Sequence, residues 1–136
     1  MNDHENLNPP TLLNTILEDT AAIGFPMACE PQTGSLLRTL AASKPGGRFL
    51  EIGTGTGVST CWLLDGMDHA STLVSIEFDE RVNAVAKKNL GHDPRVTFLT
   101  MNAETYLQEE ASPSFDFIFA DTFPGKFISW KNHCVA

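Results

Sequence analysis

The chain has 136 residues, 42% of them hydrophobic and 19% charged, with a formal net charge of −8. That is one domain's worth of chain, with about two-thirds of its unfolded surface to bury on folding, and its apolar content argues against a disordered chain. The acid excess is spread as −5 over residues 1–68 and −3 over residues 69–136, so no basic stripe favours a nucleic-acid backbone as partner.

Residues 1–8 read as a loose polar tail whose start, Met1-Asn2-Asp3-His4-Glu5-Asn6, is neither a signal nor a transit peptide. Asn8-Pro9-Pro10 signals a helix start with Asn8 as cap and proline in the first turn. Leu12, Leu13, Ile16, Leu17, Ala21 and Ile23 follow at helical spacing until Gly24-Phe25-Pro26 stops the helix. A loop through Cys29-Glu30-Pro31-Gln32 leads to a second helix from Thr33 to about Ser43, closed by Lys44-Pro45-Gly46-Gly47.

From there strands and helices alternate. Strands are expected at Arg48–Ile52, Thr72–Phe78, Arg95–Met101 and Phe115–Ala120. Helices are expected at Val58–Gly66, at Asp79–Leu90 with Gly91 as its cap, and at Ala103–Glu110. Four strands separated by three helices predict an α/β fold, a Rossmann-like doubly wound parallel sheet preceded by N-terminal helices, in one domain over 1–136. The last strand is almost wholly apolar, as a strand flanked on both sides would be. Only sixteen residues follow it, and 128–136 carry no strand pattern, so the chain reads as unfinished at its C-terminal end.

Three cysteines, Cys29, Cys61 and Cys134, without CxxC spacing read as reduced thiols of a cytoplasmic protein. His4, His69, His92 and His133 never pair at metal-ligand spacing, so no metal site is assigned to them. Apolar runs fall far below the ~20 residues that span a bilayer, and a membrane partner is not expected.

The chemistry concentrates in Phe49-Leu50-Glu51-Ile52-Gly53-Thr54-Gly55-Thr56-Gly57-Val58-Ser59. An apolar strand runs into glycines at every second position and then into a helix, whose unpaired N–H groups can meet a ligand's polar atoms. The bland alternative is a tight strand-to-helix turn without a ligand. The dinucleotide fingerprint GxGxxG is not met, because the third glycine comes one position early and Val58 fills its place. Glu51, two residues before the first glycine, suits a ligand with an amino group better than one with a pyrophosphate.

Glu77, at the end of the next strand, is expected to face the crevice with both oxygens free for ribose hydroxyls; the alternative is a capping acid, a role Asp79 and Glu80 can fill. Met101-Asn102-Ala103-Glu104 either flanks a purine ring or is an ordinary Asn-capped helix start. Asp121 ends the fourth strand over the same crevice, where it could bind a metal or orient the reacting group, with Lys126 nearby as a base or anion anchor. An Asp-initiated turn around Pro124-Gly125 is the plain alternative.

With these residues the chain resembles the class I S-adenosylmethionine-dependent methyltransferases, and within them the catechol/caffeoyl-CoA-type O-methyltransferases. The resemblance runs from about Pro31 to Phe127. It is carried by the ExGxGxG run Glu51–Gly57 with Ser59, by Ser75-Ile76-Glu77-Phe78, and by Phe115–Asp121. It implies that Gly53, Thr54, Gly55 and Ser59 cradle the methionine portion of S-adenosyl-L-methionine, with Glu51 near its amino group. It also implies that Glu77 holds the ribose, Phe78 packs on the adenine and Ala103 lines the adenine slot. Asp121 and Lys126 would be the catalytic residues, although Pro124-Gly125 spoils the alignment of the lysine. A divalent metal, Mg²⁺, is a feature of many relatives, but this sequence lacks a complete ligand set for it.

The reaction implied is methyl transfer to a hydroxyl of a small-molecule acceptor, with a homodimer as a further option. Complete members have a seven-stranded sheet, so the chain reads as a C-terminally truncated member holding the cofactor half. The alternatives are a cofactor-binding remnant without turnover, pairing through its exposed fourth strand, and an NAD(P)-binding oxidoreductase. Glu51 and the early third glycine speak against the last.

Overall fold

The structure, a computed structural model, describes residues 7–26, 29–109 and 114–121. In chain order its elements are α1 (Leu13–Ala22), α2 (Pro31–Ala42), β1 (Arg48–Ile52), α3 (Val58–Gly66), β2 (Thr72–Glu77), α4 (Glu80–Leu90), β3 (Val96–Thr100), α5 (Ala103–Glu109) and β4 (Phe117–Ala120).

The strands form one parallel sheet in the order β3-β2-β1-β4. Glu51 lies opposite Ser75 on β2 and Phe119 on β4. Moving from β1 to β2 to β3 and then back across to β4 puts α5 on the face opposite α3 and α4, since parallel crossovers are right-handed. The side chains alternate accordingly. Phe49, Leu73 and Phe117 point into a core built with α1, α2, α3 and Leu90 of α4. Leu50, Ile52, Ile76 and Ile118 point the other way, onto Leu107 of α5. The crevice of a doubly wound sheet opens where the strand order reverses, here between β1 and β4.

The first helix starts later than its sequence suggests. Asn8 has φ 48° and caps nothing; Pro10 and Leu12 supply the carbonyls that accept from Leu13 and Ile16, and α1 begins at Leu13. The Arg38 guanidinium instead fixes the backbone here, donating to the carbonyls of Leu7 and Asn8. The second helix starts earlier than expected, because Pro31 occupies its first turn, where no amide donor is needed.

Helices α2 and α3 meet through glycines. A Cβ on Gly34 would fall 2.3 Å from Trp62 Nε1, and one on Gly66 would fall 2.1 Å from the Arg38 carbonyl oxygen. Trp62 is fully buried beneath the Arg38 guanidinium, 4.7 Å from its ring centroid. No described helix is long and apolar enough to cross a membrane.

Candidate functional site

A cavity of about 680 Å³ lies over the carboxyl ends of the strands, well within the size range of small-molecule and cofactor sites. Its floor is the loop that joins β1 to α3. Gly53, Gly55 and Gly57 all have positive φ, at 97°, 58° and 99°, so the backbone turns through conformations that side chains resist. Gly57 is also the N-cap of α3 and packs against α4, where a Cβ would approach that of Ala86 to 3.0 Å. The early third glycine is thus explained by helix packing.

The loop is tied down on both sides. Gly53 and Thr54 donate to the Ile76 carbonyl at 2.8 and 3.1 Å. Thr56 is hydrogen-bonded at 2.7 Å to Thr20 of α1, and Phe25, just beyond α1, closes over Gly55. Phe25 and Cys29 line the cavity; they belong to the Phe25–Gln32 loop, which the sequence reading expects to help build an acceptor pocket together with the N-terminal helices.

Of the residues singled out in the sequence, Gly53, Thr54, Gly55, Ser59, Glu77, Phe78, Ala103 and Asp121 all line this one cavity. Lys126 lies outside the described residues. Phe78 is 65% exposed at the rim. Asn102 caps α5, its Oδ1 accepting from Glu104 at 2.8 Å, and it lines the cavity as well, so the two readings of that segment coexist.

Glu77 departs from expectation. Its oxygens are not free: Oε1 accepts from the Gly55 amide at 2.8 Å and Oε2 from the Asp79 amide at 2.9 Å. Each oxygen keeps further lone-pair capacity toward the cavity. The helix-capping role falls to Asp79, whose side chain accepts from Arg81.

Glu51 is the larger difference. It is fully buried and is not among the cavity-lining residues. It faces α3, and Ser59 donates to Oε2 while Thr60 and Ser75 donate to Oε1, the last at 2.7 Å. Burial pushes its carboxyl above the usual range, and the Asp121 charge adds to this against the pull of the three hydroxyls. Burial likewise raises the Cys29 thiol to about 11, with Asp121 and Glu51 contributing.

Asp121 is exposed at the end of β4, its amide donating to Ile52 at 2.9 Å. Among the described residues no group of three His, Cys, Asp or Glu side chains could hold a metal ion. A hard cation wants six or more oxygens, so the described donors do not make a Mg²⁺ site.

A parallel Rossmann-like sheet with a glycine loop beneath a cavity and an acid at the next strand end defines a class of nucleoside-cofactor-binding α/β proteins. A methyltransferase-domain family model matches residues 50–124, more than half of the chain, and the protein belongs to that family. It is 33% identical over 123 residues to a "Putative O-methyltransferase" of Mycobacterium ulcerans, which covers 88% of this chain and 54% of the relative. It is also similar to the Bacillus cereus O-methyltransferase solved with SAH, at 32% identity and a TM-score of 0.71, over 80% of this chain and 53% of that one. TomG of Streptomyces achromogenes, solved with SAM, is 25% identical with a TM-score of 0.73, over 90% and 63% of the two chains. The chain thus spans about half the length of the curated relatives it matches.

Proposed function

We propose that the chain binds S-adenosyl-L-methionine and serves methyl transfer to a hydroxyl of a small-molecule acceptor. The observation that carries this reading is the single cavity that joins the glycine loop, Glu77 and Ala103. The SAH and SAM complexes of its structural neighbours support it.

The bound cofactor would supply a methyl group already activated on a sulfonium, so the protein's task is alignment. In this reading the backbone of Gly53, Thr54 and Gly55 and the start of α3 receive the methionine portion. Glu77 accepts from the ribose hydroxyls with the lone pairs left over from Gly55 and Asp79. Phe78 and Ala103 flank the adenine, and Phe25 screens the loop from water. Asp121 stands where it can orient the acceptor hydroxyl, and Lys126 is the proposed base.

Calorimetric titration with SAH, with NAD as comparator and Glu77→Ala as control, tests the cofactor assignment. Saturable SAH binding that the control loses supports it; a folded chain that prefers NAD refutes it. Incubation with SAM and a catechol, with and without Mg²⁺, then tests the transfer. Binding without product would leave the chain a cofactor-binding unit.

A further inference from the structure

We propose that the cavity takes a hydroxylated acceptor whose own charge is positive or zero and turns away one bearing a carboxylate or phosphate, with Asp121 as the residue that sets this preference. This rests on the cofactor reading above and adds to it the chemical class of the acceptor.

The strand order divides the cavity into two sides. Glu77 and Phe78 stand at the end of β2, Ala103 and Glu104 begin α5 after β3, and the glycine loop follows β1. In the order β3-β2-β1-β4 these occupy one side, which the cofactor reading fills. The other side is the end of β4, where Asp121 shares the cavity wall with Phe25 and Cys29. It belongs to the crevice where the strand order reverses, and it is the space left for the acceptor.

The cavity carries one sign of charge. Among the described residues, every charged side chain that lines it is an acid: Glu77, Asp79, Glu104 and Asp121. No described lysine, arginine or histidine lines it. Arg38 pairs with Asp65, Lys88 with Asp19 and Arg95 with Asp93. Arg48 starts β1, at the far end of the strand from the cavity.

The acceptor side offers nothing to offset Asp121. Phe25 is apolar, and burial holds the Cys29 thiol up at about 11, with the Asp121 charge adding to this, so the thiol is neutral at physiological pH. Like charges lining a cleft with low-dielectric walls reinforce one another. An anionic substituent placed there meets like charge without a counterion, whereas an ammonium group meets its opposite.

Three ligands that share one dihydroxylated ring test this: catechol, which is uncharged, dopamine, whose side chain ends in an ammonium, and homoprotocatechuate, whose side chain ends in a carboxylate. Each is titrated into the full chain saturated with SAH, and binding is followed by NMR. Dopamine is expected to bind at least as tightly as catechol, and homoprotocatechuate about tenfold or more weakly, as like-charge juxtaposition at a binding surface dictates. Asp121→Asn keeps the shape of the side chain and removes its charge, and should bring the three affinities within about threefold of one another. A merely structural Asp121 would weaken all three alike, and that result, or an unchanged order, overturns the proposal. Should Asp121→Asn fail to fold, Cys29→Lys decides: a cation in that wall should raise homoprotocatechuate to at least the affinity of catechol, and an unchanged order overturns the proposal. Wild-type binding of homoprotocatechuate as tight as that of catechol also overturns it, the outcome expected if Lys126, outside the described residues, neutralised Asp121. An SAH-loaded chain that binds none of the three overturns it and leaves the cofactor reading standing. A chain that does not bind SAH removes both.

Discussion

Glu77 accepts a hydrogen bond from the Gly55 amide at 2.8 Å, so the acid at the end of β2 holds the middle of the glycine loop while lining the cavity. One carboxylate thereby couples loop geometry to the proposed ribose contact.

Replacing Glu77 with Ala is therefore expected to act twice. SAH affinity should fall about tenfold to a hundredfold, as for the loss of hydrogen bonds to a charged group, and calorimetry measures it. The Gly55 amide should also exchange its hydrogen faster in the ligand-free chain, which NMR reads directly. Unchanged exchange would mean that the loop holds its shape without Glu77.

Gly57→Ala should destabilise the fold by about 1–2 kcal/mol, the cost of a left-handed backbone for a residue with a Cβ, with the close approach to Ala86 adding to it. Urea unfolding monitored by circular dichroism gives the value. A smaller loss would show that the backbone at position 57 can leave its left-handed conformation at little cost.

Stability should depend on pH in two opposed limbs. Burial raises the Glu51 carboxyl above its ordinary 4.5. Between that value and its folded one the native state binds more protons than the unfolded state, so stability falls as pH rises through the window and levels off above it. Glu51→Gln should flatten this limb. Asp93 has the opposite sign: hydrogen bonding to Arg95 holds its carboxyl below the ordinary 3.8, so its contribution is present above that value and is lost as pH falls toward the folded one. Urea midpoints measured across the acid range in the wild type and Glu51→Gln check both limbs.

Cys29 is partly exposed in the cavity wall with its thiol raised to about 11. Because the thiolate is the nucleophile, alkylation by iodoacetamide at pH 8 should be slower than for an ordinary cysteine and should accelerate as pH rises toward 11. Bound SAH should slow it further. Peptide mass mapping separates Cys29 from Cys61, which is buried and raised to about 12, and from Cys134.

Much of this arrangement was legible in the chain itself. The bounds of β1 and α3 match the sequence expectation, because the apolar run, the glycines and the helical run leave little freedom there. The cavity-lining positions of Gly53, Ser59, Glu77 and Ala103 follow from their places at strand ends and helix starts. The start of α1 departs from the sequence expectation because Asn8-Pro9-Pro10 carries the local signature of a cap, while Arg38 draws on the Leu7 and Asn8 carbonyls across 30 residues of chain. Local pattern cannot register a partner so distant.

By itself the sequence determined the alternation of strands and helices, the glycine loop and the acids that follow it, since periodicity and turn chemistry act over a few residues. Only the tertiary structure decided that Phe25 covers Gly55, that Glu77 spends part of its capacity on the loop, and that Glu51 turns from the cavity to three hydroxyls. Those facts depend on which face of β1 meets α3 and on Ser75 arriving beside Glu51 from the next strand. Strand register and helix packing set both, and neither is written in the neighbours of a single residue.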